Sequence, residues 1–260
     1  MKLCNFNFPI VFCIATFLSF FFQSSEANGQ VQKYQDLTNR EIARAFQDIV
    51  RGRELYPFTG PMISWADKTI FVEPIFAEAK LQSYQDDAEP HLKEIISIVS
   101  RNSDFDYSLV GPEENNKLSR GFVIYGDKEE ILTISDMLFS RLKFKPWKKV
   151  FEVLKAQNGP YCTVTVIGDQ NNETIVFVVT IEEGSFLTAC IYEELLQSTG
   201  LINDTSMDIP SIMGGNPDLI VPTALDELFL RLLSQLDLGN SGKLTISEIE
   251  KQVEKLRKQR

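Results

Sequence analysis

The sequence predicts an α+β fold, with helices layered on a small mixed β-sheet, and three observations carry that expectation. Segments with apolar residues at helical spacing alternate with short β-like runs along the chain. Two of those runs, YCTVTVIG and ETIVFVVTIE, alternate in hydrophobicity and are separated by DQNN, which makes a β-hairpin. The chain has 260 residues, 43% hydrophobic and 24% charged, enough for one substantial core.

Each element follows from local chemistry. Phe8–Phe22 is an apolar run behind Lys2, and Ser25-Glu26-Ala27 supplies small residues at a cleavage site. A membrane-spanning helix needs about 20 apolar residues, so residues 1–27 are expected to be a secretory signal peptide, and the alternative is an uncleaved anchor. Residues 28–59 form a polar segment and a first helix. That helix, Thr38–Val50, opens with a T-x-x-E capping box (Thr38, Glu41) and places Ile42, Ala45, Phe46 and Ile49 on one face.

The main domain is expected over 60–235. A strand lies around Thr69–Val72, then a helix over Pro90–Ser100 with Leu92, Ile95, Ile96 and Val99 inward. A polar loop (111–117), a strand (121–126) and a helix (Lys128–Leu142) precede the hairpin. A helix beginning near Thr188 and a closing helix, PTALDELFLRLL (222–233), complete the domain. Residues 236–260 form a glycine-rich turn and a basic helix. Trp65 and Trp147 are expected in the core, and His91, the only histidine, faces solvent at the start of its helix.

The net charge is −10, and loss of residues 1–27 removes one acid and one base, leaving it unchanged. A field of that sign repels nucleic acid and anionic lipid. No later stretch spans a membrane, so the expected partner is an undefined one in the cell envelope or outside the cell, for a protein that is secreted or periplasmic. Cleavage leaves two cysteines, Cys162 and Cys190, which an oxidising compartment would join, the alternative being two buried thiols. Asn172 and Asn203 each begin a glycosylation sequon.

The stretch CIYEELLQSTGLIND (190–204) carries the most specific pattern. It resembles the metzincin zinc-peptidase helix, H-E-x-x-H-x-x-G-x-x-H, whose positions fall here on Glu193, Glu194, Gln197, Gly200 and Asn203. Ser211-Ile-Met213 sits where that family has its methionine turn, and the hairpin lies where metzincin-like domains place the sheet edge beside the active helix. The same stretch is similar to a family of secreted bacterial proteins, domain of unknown function 2927, through C-x-x-E-E-L-x-Q-x-x-G-L-x-N-D. That resemblance covers about residues 60–250 and implies a metzincin-like (zincin) fold with a long pseudo-active-site helix; it implies no activity.

All three histidine positions are lost, to Glu193, Gln197 and Asn203, so no zinc is expected. The surviving Glu194 has no metal-bound water to act on. The leading expectation is a non-catalytic pseudo-metallopeptidase in which Gln197 donates to Glu193 or Asn203, with Gly200, Ser211 and Met213 as turn and floor, no cofactor, and a binding or structural role. Adjacent glutamates are expected to be solvated. One alternative is a zinc-independent hydrolase that uses Glu194 with Glu193 and Asp204. Another is calcium binding through DLGNSGKLTISE (237–248), an EF-hand-like loop with Asp237, Ser241 and Glu248 as ligands. The competing reading of that loop is a plain helix cap, Thr245 with Glu248.

Overall fold

The computed structural model describes residues 34–51, 69–104, 106–109, 121–141, 162–167, 174–179, 185–214, 216, 218–236 and 244–259. Residues 1–27, expected to be a signal peptide, both tryptophans and the 237–243 part of the glycine-rich loop lie outside the described residues. Helix α1 (Asn39–Arg51) is followed by strand β1 (Thr69–Phe76). A wide π-type turn at Tyr84–Ala88 then leads into α2 (Glu89–Asn102). Next come β2 (Asp106–Leu109), β3 (Gly121–Tyr125) and α3 (Lys128–Arg141). The hairpin is β4 (Cys162–Ile167) and β5 (Thr174–Val179). Helices α4 (Ser185–Ser198), α5 (Ala224–Gln235) and α6 (Ile246–Arg257) complete the chain.

The five strands form one sheet in the order β2-β1-β3-β5-β4. Strands β1, β2, β3 and β5 run parallel, and β4 pairs antiparallel with β5, Cys162 opposite Val179. The mixed α+β class is as the sequence predicts. Parallel neighbours need a crossover. Helix α2 supplies it between β1 and β2, and α3, which packs on β1 and β3, lies between β3 and the hairpin. Strand β3 is buried along its whole length, the condition of a strand covered on both faces.

The α1 periodicity holds: Ile42, Ala45, Phe46 and Ile49 are fully buried, joined by Ala43 and Val50. Its capping box forms as the T-x-x-E pattern requires, with Thr38 N and Oγ1 both donating to Glu41 at 2.7 Å. In α2 a proline occupies the first turn, where no backbone donor is missed, and Leu92, Ile95, Ile98 and Val99 turn inward. Helices α1, α5 and α6 pack together, with Phe46 and Phe229 ring centroids 5.9 Å apart. They share one hydrophobic core with α2, α4 and the sheet.

The first and last described segments meet. Arg257 near the end of α6 donates to Leu37 O and Asn39 Oδ1, each at 2.8 Å, and to Gln35 O at 3.0 Å. Its guanidinium lies 5.5 Å from the centre of the Tyr34 ring.

Candidate functional site

Helix α4 is the central element of the site. Every residue from Ile191 to Gly200 is buried, which is the property of a helix that is largely apolar on all sides and enclosed by neighbours. It packs on α2, β4 and β5. Two cross-links fix its ends. The disulfide Cys162–Cys190 joins its first half to the edge strand β4, with Cα atoms 5.6 Å apart, as the cysteine count predicts. At the other end Tyr107 of β2 lies 2.7 Å from Ser198 Oγ. Ser198 donates its own proton to Leu195 O at 2.5 Å, so the phenol is the donor in the Tyr107 contact. Burial raises the Tyr107 pKa above the ordinary phenol value, and the Ser198 contact opposes that rise.

The polar residues of the motif are inside the protein. Glu193 is 6% exposed, Glu194 and Gln197 1%, and Asn203 5%. The expectation of solvated glutamates is therefore wrong. These positions follow one another on a helix that has no solvent face over its last turns, so a hydrophilic pair is enclosed along with its apolar neighbours. The expected donation from Gln197 is absent too: among the described residues neither its amide oxygen nor its amide nitrogen has a hydrogen-bond partner. Asn203 instead reaches the N-terminal helix, its Nδ2 donating to Asp48 O at 3.4 Å. Buried and engaged, that amide cannot carry a glycan in the folded protein, whatever its sequon.

Gly200 ends the helix. Its φ is 116°, a left-handed conformation open to glycine at little cost, and its N–H bonds Gln197 O at 3.1 Å. The chain then doubles back. Thr205 N donates to Met213 O at 2.8 Å, and Met213 is fully buried. Gly214 closes the loop where no side chain fits, since a Cβ there would stand 2.7 Å from Ile209 O.

The loop is held by a residue that sequence reasoning missed. Ser211 Oγ donates to Asp226 Oδ1 at 2.5 Å and accepts from Met213 N at 3.0 Å. Asp226 Oδ2 accepts from Thr223 N at 2.7 Å and from Ile212 N at 3.3 Å. Thr223 in turn accepts from Leu225 N at 3.1 Å and lies 2.6 Å from Pro210 O, its acceptor. Asp226 is fully buried, and burial pushes its pKa up, against the lowering effect of its bonds to Ser211, Thr223 and Ile212. The available cue was T-A-L-D (223–226), a capping box with aspartate in place of glutamate.

His91 is half-buried and engaged on both ring nitrogens rather than simply facing solvent. Its Nδ1 lies 3.2 Å from Tyr192 Oη and its Nε2 3.2 Å from Thr188 Oγ1, while Tyr192 donates to Glu94 at 2.5 Å. This joins α2 to the face of α4 that carries Thr188 and Tyr192.

The glycine-rich loop is described only from Leu244 onward, so Asp237 and Ser241 lie outside the described residues. Glu248 is engaged as a cap: it accepts from Thr245 N and Oγ1, each at 2.8 Å. Those bonds hold its pKa below the usual carboxylate value. Among the described residues no group of three or more His, Cys, Asp or Glu is placed to hold a metal ion, and no helix is long and apolar enough to cross a membrane.

Residues 39–254 match the family described as "Protein of unknown function (DUF2927)". No curated protein and no solved structure matches the chain.

Proposed function

The chain belongs to the DUF2927 family, whose description assigns no activity, and from its own geometry we infer that it is a metzincin-like domain with a degenerate zinc site. In this reading it acts outside the cytoplasm by binding a partner or by a structural role, and its leader directs it there. The observation that carries the reading is the fate of the three histidine positions. Glu193, Gln197 and Asn203 are enclosed, and the Asn203 amide is committed to a backbone carbonyl of α1.

Zinc does not suit this set. Two of the three groups are neutral amides, poor partners for the metal, and a catalytic site must keep one position open to water. Glu194, the residue that would act as base, is shut away with them. The scaffold features support the resemblance. Gly200 turns the helix sharply, Met213 lies buried in the following loop, and the β4–β5 hairpin stands at the sheet edge, tied to α4 by the disulfide. That disulfide also fits an oxidising compartment.

Elemental analysis of protein purified without a histidine tag tests the reading, run beside a peptidase assay. The expected result is less than stoichiometric zinc and no metal-dependent cleavage. Stoichiometric zinc, or a peptidase activity lost on Glu194→Ala without loss of stability, would overturn it.

A further inference from the structure

We draw no further inference here: the strongest candidate, the crevice at the carboxyl ends of β1 and β3 where the strand order turns back, is occupied by the fold's own side chains, with Phe76 stacked on the buried Tyr84 at a centroid distance of 4.4 Å and Lys80 Nζ 3.7 Å from Glu130, and nothing in the structure shows a ligand that enters it.

Discussion

Two buried polar regions lie close together in the chain, and they are built on opposite terms. In the loop from Ser211 to Met213, one aspartate receives bonds from Ser211, Ile212 and Thr223, and each of those donors needs it. On α4, Gln197 is as deeply enclosed and, among the described residues, its amide has no partner. The first arrangement specifies a loop conformation; the second costs stability at a position where an apolar side chain would cost none. A polar residue retained at a cost marks a position that stability alone did not shape. The contrast therefore places structural necessity at Asp226, and the question of function at Gln197 and its neighbours.

The sharpest way to break this comparison is Asp226→Ala, which strands the buried Ser211 Oγ and Ile212 N and frees the part-buried Thr223 N and Oγ1 at once. It should lower the unfolding free energy by about 4 kcal/mol in urea denaturation. A loss below about 1 kcal/mol would mean that water replaces the carboxylate and the loop needs no staple. The same residue should leave a trace in pH. Because its folded pKa is raised, the native state holds a proton the unfolded chain has released. Its contribution is fully present below the ordinary carboxylate range and declines as pH rises toward the folded value. The penalty of Asp226→Ala should therefore be larger in acid than at neutral pH, and a penalty that grew with pH would reverse the assignment.

Opening the tether between β4 and α4 comes next. Cys162 and Cys190 are separated by 28 residues, and removing both sulfurs should cost about 3.5 kcal/mol in the chain-entropy model. Denaturation of the Cys162→Ser, Cys190→Ser double variant checks it. A smaller change moves in the opposite direction. Gln197→Met keeps the volume and removes two unsatisfied groups, so the melting temperature should rise, by about 1–2 kcal/mol in stability terms. A fall would show that the amide has a partner in solution and would erase the contrast with Asp226. The smallest effect is at the C-terminal helix, where Thr245→Ala removes a cap and should cost about 1 kcal/mol. Millimolar calcium should leave the melting curve unchanged, since Glu248 is committed to Thr245; a bound site would add about 2.7 kcal/mol at a hundredfold excess over Kd.

Much of the frame was legible because it rests on local chemistry. The Thr38–Glu41 and Thr245–Glu248 capping boxes, the α1 face, the hairpin and the pairing of two cysteines are each settled by residues within a few positions or by counting. Strand β2 was not legible. It is four residues long with one buried side chain, Tyr107, too short for alternation to register. The π-type turn at Tyr84–Ala88 has no pattern that separates it from an ordinary helix start. The site failed to show itself for another reason. Whether Glu193 and Glu194 meet water depends on what packs over α4, and Asn203 finds its partner 155 positions away on α1. The contacts of the half-buried His91 were hidden in the same way, since its partners Tyr192 and Thr188 come from a distant helix. Asp226 is the instructive case, because T-A-L-D carries the capping signature with aspartate where the pattern has glutamate.

Arg257 has a mechanical consequence. By gripping Gln35, Leu37 and Asn39, it makes the first and last described segments a single clasp. A pull applied between residues 35 and 258 therefore loads the α1–α6 contact first and leaves the sheet unstrained until that clasp yields. In a tethered single-molecule stretch, the first extension should correspond to release of these two helices, and Arg257→Ala should lower the force at which it occurs.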